Sequence, residues 1–373
     1  MGRKRTGILA GALTLILLLA GGCGAQTETL RYALVTGQRG AKAEKALTQL
    51  ESGMEDFAGA QGLKARTFAS EKETVASYGD EISQAVQEGA SVILANGEAM
   101  GKAVYTAQNE HRKTKFLLFG AEPSSEDGTK TKIRKNTLSI LFSPEQEGYL
   151  AGYAAVKEGW QRIGFLAGPR TQDAERYYRG LVQGAEYAAG MLGLEEESVE
   201  IRFEFAGTGK LTPVRTEEAL LWYEEGTEAI LPYGEQIERA VLIAAEEAGG
   251  YVIGANRDLT GESSRVLFSV SPDYARAAKA ALEFYEDGFR GGSAVYYGMK
   301  ERAIRLNADF SDFDSFTQDD YNSVLNSVGT GTLTVATDKE AVRDLKCVLL
   351  RESKPLGATE DATVSADLPE DTK

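Results

Sequence analysis

FSPEQEGYLAGYAAVKEGWQRIGFLAGPRTQDAERYYRGLVQGAEYAA, residues 142–189, is the stretch that decides the fold. Ser143 and Pro144 are a helix-start signal, and Gln146 stands where a capping box would reach back to the first turn. The helix that follows carries Leu150, Tyr153 and Ala154 at helical spacing. Gly148, Ala151 and Gly152 keep its surface low enough for close packing. After Gly159 the apolar run Ile163 to Ala167 reads as a buried strand, which Gly168-Pro169 ends. A second helix is expected from near Asp173, with Tyr177, Leu181, Ala185 and Ala188 turned toward a core. Helix, strand, loop and helix make one unit of an α/β layer fold, and in such folds the loops at strand carboxyl ends hold ligands.

The same residues carry a family resemblance. Glu147-Gly148-Tyr149-Leu150-Ala151-Gly152-Tyr153-Ala154-Ala155, then Ile163-Gly164-Phe165, Gly168 and the spaced set Tyr177, Gly180 and Gly184 together resemble the basic membrane protein family. Its members are bacterial solute-binding lipoproteins of ABC importers, and those characterised mostly bind purine nucleosides. The resemblance covers roughly Leu30 to Phe310 and is most specific in the second half. It implies a two-lobed α/β fold of the type I periplasmic-binding-protein kind, with parallel sheets flanked by helices and a hinge between lobes.

Outward toward the amino terminus, the chain carries an address. Arg3, Lys4 and Arg5 precede an apolar run from Gly7 to Ala20, too short for a membrane span and suited to a signal peptide. Leu19-Ala20-Gly21-Gly22-Cys23 resembles a bacterial lipobox, with Ala20 where a leucine is usual. Residues 1–23 are therefore expected to be a lipoprotein signal ending at Cys23, the lipidation site, and residues 24–29 a linker. Several acyl chains on Cys23 would hold the protein on the extracytoplasmic face of the cell membrane. Cys347 is the other cysteine, so no disulfide framework is expected, and its apolar neighbours mark it as a buried small residue.

Composition narrows the partners. The net charge of −15 becomes −18 once Arg3, Lys4 and Arg5 leave with the leader. A surface this acidic lacks the basic footprint that nucleic acid requires. His111 is the one histidine, at a helix end beside Arg112 and Lys113, so a histidine-based triad or a zinc site of usual ligands is not expected. Glu195-Glu196-Glu197 reads as a solvated face, and Gly207-Thr208-Gly209-Lys210 lacks the full phosphate-loop spacing. No catalytic residues, metal or cofactor are therefore assigned.

The rest of the chain alternates strands with helices, the signature of βαβ units and a parallel sheet. Strands are expected at Leu30 to Thr36, Leu63 to Phe68, Ser91 to Ala95, Phe116 to Phe119, Leu138 to Phe142, Val199 to Phe205, Ala229 to Leu231, Tyr251 to Gly254 and Val266 to Val270. Ser271-Pro272 is read as opening a helix that reaches Tyr285, while Tyr296 to Leu306 and Gly331 to Val335 are read as closing strands or hairpins. The expected division is a first lobe of residues 30–140 plus 271–295, a second of 141–270 plus 296–353, and a disordered acidic tail, 354–373.

Loops at strand carboxyl ends would then offer a cleft Gln38, Arg39, Asn96, Glu98 and Phe142 from the first lobe, and Tyr177, Tyr233, Glu235, Asn256, Arg257 and Asp258 from the second. Aromatic faces with amides and a carboxylate suit a small polar ligand such as a nucleoside or sugar. The resemblance implies more for Asn256-Arg257-Asp258, which follows Val252-Ile253-Gly254 as in the family's G-V-D-x-D stretch. Asp258 keeps the acid that contacts ribose in that family, and Asn256 replaces the other. The first lobe departs further. The family's V-T-D strand end reads Val35-Thr36-Gly37, its later base-contacting positions fall at Lys42, Ala43, Lys45, Ala46 and Leu47, its acid after the fourth strand is Gly120, and its lysine is Pro272. The expected function is an extracytoplasmic solute-binding lipoprotein serving an ABC permease. The alternative is a sensor, regulatory or interaction lipoprotein of the same fold with a degenerate pocket.

Overall fold

The computed structural model describes residues 30–37, 45–207 and 212–356. The signal, Cys23, the linker, Gln38, Arg39, Lys42, Ala43, Thr208 to Lys210 and the tail from residue 357 lie outside the described residues. The elements, in chain order, are β1 (Leu30–Thr36), α1 (Lys45–Ala60), β2 (Lys64–Ala69), α2 (Val75–Gln87), β3 (Val92–Asn96), α3 (Gly97–Glu110), β4 (Lys115–Phe119) and β5 (Thr137–Phe142). There follow α4 (Pro144–Glu158), β6 (Arg162–Ala167), α5 (Gln172–Leu192), β7 (Val199–Phe205), α6 (Pro213–Glu224), β8 (Ala229–Tyr233), α7 (Glu235–Ala248), β9 (Tyr251–Ala255) and β10 (Val266–Pro272). The chain closes with α8 (Tyr274–Glu286), β11 (Ser293–Tyr297), β12 (Ile304–Asn307), α9 (Gln318–Gly329) and β13 (Val348–Glu352).

These strands form two sheets. One runs β11-β5-β4-β3-β1-β2 and its pairings are all parallel. The other runs β12-β10-β9-β8-β6-β7-β13, parallel except where β12 meets β10. Near-continuous apolar strands are what a parallel sheet covered on both faces requires. In the first sheet Leu34, Leu94 and Leu117 pack on one face with α1 and α8, while Val35, Ile93 and Leu118 pack on the other with α2 and α3. In the second, Ile163, Phe165 and Phe268 share a core with α4 and α5, and Leu166, Ile230 and Val252 share one with α6 and α7.

The pair α4 and α5 explains the sequence pattern with which the fold was read. A Cβ on Gly148 would lie 2.0 Å from the Tyr177 carbonyl oxygen, and one on Gly152 2.0 Å from that of Leu181. The contact is reciprocal: a Cβ on Gly180 or Gly184 would lie 2.0 Å from the carbonyl oxygen of Glu145 or Tyr149. The spaced glycines bring two helix backbones into direct contact, which no larger residue permits.

The chain passes between the sheets at three places: β5 to α4, β10 to α8, and β11 to β12. The passages are tied together. Ser143 N–H donates to Tyr297 O at 3.1 Å, Met299 N–H to Gln146 Oε1 at 2.8 Å, and Asp273 N–H to Ala303 O at 2.8 Å.

Several local readings need correction. Ser143 makes no side-chain cap, and Gln146 does not close a capping box, because its amide oxygen serves Met299 across a passage. Ser271-Pro272 ends β10, and the cap of α8 is Asp273, which accepts from Arg276 N–H. Tyr296 to Leu306 is not one hairpin: β11 joins β5 in the first sheet and β12 joins β10 in the second. Gly331 to Val335 is irregular, with Leu333 N–H folded back to Ser327 O after α9.

Candidate functional site

A cavity of about 900 Å³ opens where the carboxyl ends of the two sheets face each other. From the first sheet come Asn96 at the end of β3, Lys45 and Gln49 on α1, and Tyr274 at the start of α8. From the second come Tyr233 at the end of β8, Glu235 and Glu238 on α7, and Asn256, Arg257 and Asp258 after β9. Parallel strands leave their carboxyl-end loops free of pairing, so these side chains reach the cleft without disturbing a ladder.

The turn after β9 depends on its first residue. Asn256 has φ of 60°, a left-handed conformation that Asn tolerates better than most residues, and this turn carries Arg257 and Asp258 into the cavity wall. Asp258 Oδ1 accepts from Thr260 N–H at 2.9 Å and from the Thr260 hydroxyl. Its Oδ2 meets the Lys45 ammonium at 2.8 Å, an ion pair that spans the cavity from one sheet's helix to the other sheet's loop. Burial pushes the Asp258 carboxyl up, but the hydrogen bonds from Lys45 and Thr260 outweigh it and hold the group below its usual value of 3.8. Arg257 binds Glu238 through Nε and Glu262 through Nη1, the latter at 2.7 Å. Burial raises the Glu238 carboxyl above its ordinary value, against the opposing pull of Arg257.

On the first-sheet wall, Asn96 Oδ1 is buried with no hydrogen-bond partner among the described residues. Gly120 lies beside it: a Cβ there would be 3.5 Å from Asn96 Oδ1. Tyr274 is held by its backbone N–H, which donates to Gln49 Oε1 at 3.0 Å.

The structure thus brings Asn96, Tyr233, Glu235, Asn256, Arg257 and Asp258 together around one cavity. The expected ligand contacts Glu98, Phe142 and Tyr177 do not line it. Phe142 is half-buried at the end of β5 and packs edge-on against Tyr274, with ring centroids 4.9 Å apart. Tyr177 is completely buried and stacks on Phe165, because the close approach of α5 to α4 at Gly148 turns it into the core. It lies behind the cavity wall, its ring 5.2 Å from that of Tyr233. Near it, Glu147 is buried, and burial, with Glu145 and Asp173 adding repulsion, raises its carboxyl well above the ordinary value.

The sequence reading missed Gln49, Glu238, Glu262, Ser271 and Tyr274 as cavity residues, and met Lys45 only as a departure. A signal was present in the spacing of Lys45 and Gln49, which puts both on one face of the helix that follows the first strand's loop.

The family described as "ABC transporter substrate-binding protein PnrA-like" matches residues 45–337. Basic membrane protein C of Borreliella burgdorferi is 28% identical over 220 residues, 57% of this chain. The chain spans 60% of that relative's length. The ABC transporter nucleoside-binding protein BmpA of Lactococcus lactis is 22% identical over 339 residues, covering 83% of this chain and 92% of that protein. Among solved structures, an ABC transporter solute-binding protein from Conexibacter woesei superposes with a TM-score of 0.58 at 15% identity, covering 83% of this chain and 99% of that one. The last likeness establishes the fold.

Proposed function

Since the chain belongs to the family of PnrA-like ABC transporter substrate-binding proteins, we propose that it is a lipid-anchored receptor for a small polar, nucleoside-like solute. Cys23 would carry the anchor at the extracytoplasmic face of the membrane, and an ABC permease would take the solute. Among the described residues no helix is long and apolar enough to cross a membrane.

The observation that carries this reading is the cavity itself. It lies between two sheets joined by three passages, and both walls present polar groups to it. Asp258 would accept hydrogen bonds from ligand hydroxyls, Asn96 and Asn256 would serve heteroatoms, and Tyr233 or Tyr274 would cover a flat ring. A solute touching both walls favours the closed arrangement by its differential affinity for it. The nucleoside class draws support from the printed function of BmpA and from the retained acid at Asp258.

One observation favours a second reading. Gly120 lines up beside Asn96 without a side chain, and Lys45 already occupies Asp258, so the first wall offers a ligand fewer groups than the second. A regulatory or interaction lipoprotein with a weakened pocket fits that asymmetry.

A thermal-shift screen of the full chain against nucleosides, nucleobases, sugars and amino acids separates the two. A solute that binds only the folded state raises the melting temperature by an amount that grows with its concentration over Kd. A rise with a nucleoside supports the proposal. A rise only with another class retains transport and discards the nucleoside, and no rise with any solute at millimolar concentration favours the second reading.

A further inference from the structure

Lys45 and Asp258 are 213 residues apart in sequence, on opposite walls of the cavity, and meet at 2.8 Å. The helix that carries Lys45 is fixed in place. Lys45, Gln49 and Gly53 form one stripe of α1, four residues apart. Gln49 Oε1 holds Tyr274 N–H at 3.0 Å, and a Cβ on Gly53 would lie 2.4 Å from the Ala275 carbonyl oxygen. The stripe therefore pins α1 to the first turn of α8, immediately after the β10 passage between the sheets. Both Asp258 oxygens are already engaged, Oδ1 by Thr260 and Oδ2 by Lys45.

We propose that Lys45 is a specificity-determining residue that acts as a built-in competitor: its ammonium takes the Asp258 carboxylate from the opposite wall and holds the cleft closed when no solute is present. This rests on the reading of the cavity as a solute site. A solute that takes over the Oδ2 position held by Lys45 gives up a contact between the walls, which it must replace with contacts of its own. Solutes whose hydroxyl groups reach Asp258 but which make no contact with the α1 wall are selected against, because they break the bridge without restoring it.

The side chain of Lys45 is 61% exposed and that of Asp258 19%, so the bridge is partly screened and its removal changes affinity by about two- to tenfold. Two measurements on the full chain test this. The first needs no solute: small-angle X-ray scattering of wild type, Lys45→Met, and the charge-swapped pair Lys45→Asp with Asp258→Lys. The expected result is a larger radius of gyration for Lys45→Met and a return toward the wild-type value in the swapped pair. An unchanged radius for Lys45→Met overturns the closure, whatever the solute proves to be. The second is titration of Lys45→Met with a solute found in the thermal-shift screen. Tighter binding than wild type by about two- to tenfold supports competition. Equal or weaker binding overturns it and makes Lys45 a bystander or a direct ligand contact. Failure of the screen would count against the solute reading and leave the scattering result to judge the bridge.

Discussion

Glu147 shows how one residue can combine a packing role with an electrostatic cost. It sits on α4 immediately before Gly148, buried, with Oε2 unpartnered among the described residues. Glu145 nearby is paired with Arg176 at 2.6 Å, and among the described residues Glu147 has no ion pair. Its folded-state pKa is raised above the ordinary 4.5, first by burial and then by Glu145 and Asp173. Below 4.5 the group is protonated in both states; as pH rises the unfolded chain releases the proton while the folded chain keeps it, so stability falls. Glu147→Gln removes this dependence. Melting temperature followed from acid to neutral pH is expected to decline less in the variant, with the variant the more stable near neutrality; parallel curves would show that Glu147 ionises freely in the fold. At this scale legibility was uneven. Asn96 and Tyr233 could be named because they end strands, and Asp258 because it lies in the loop just after one, and strand ends are visible in sequence. Lys45 lies on a helix flank, and no pattern within α1 announces a partner at Asp258.

Close packing of α4 was legible from Gly148, Ala151 and Gly152, while the structure supplied its partner, α5, through Gly180 and Gly184. Glycines at four-residue spacing on two successive helices have few uses other than close backbone approach, and Gly148, Gly152, Gly180 and Gly184 all serve it. Gly190 on the same α5 provides the contrast, since a Cβ there meets nothing within 4 Å. Gly152→Ala is expected to destabilise the protein by about 3 kcal/mol or more, since the added methyl forces the helices apart. Gly190→Ala should be neutral or stabilising by about 0.5–1 kcal/mol, through helix propensity and the unfolded chain. Scanning calorimetry of both variants decides this, and equal losses would refute the packing account. Capping was less legible: Ser143-Pro144 and Gln146 have the right identities for a capped start, but Gln146 is claimed by Met299 from a distant segment. Tyr177 was read both as facing a core and as a cleft residue, and its complete burial against Phe165 agrees with the first reading. Its helical spacing is the same whether it faces core or cleft, and only the approach of α4 settles which.

Across the whole molecule, the alternation of strands and helices was sufficient to read an α/β fold with parallel sheets. Strand partnership was not, because β11 and β12 are separated by a short connection and yet belong to different sheets. Pairing between distant segments depends on which edge remains open, and that is a property of the assembled sheet. The same assembly creates the cavity, drawing one wall from α1, β3 and α8 and the other from β8, α7 and the turn after β9. On the reading proposed above, function at this scale is a competition between an internal bridge and an external solute for Asp258. The most direct test is isothermal titration of the full chain and its Asp258→Ala variant with the strongest solute from the thermal-shift screen. The account predicts weaker binding by the variant, since the charge-assisted acceptor it loses is worth more to the solute than the competing Lys45 bridge lost with it. Equal affinity in the two proteins would contradict it and place the solute elsewhere.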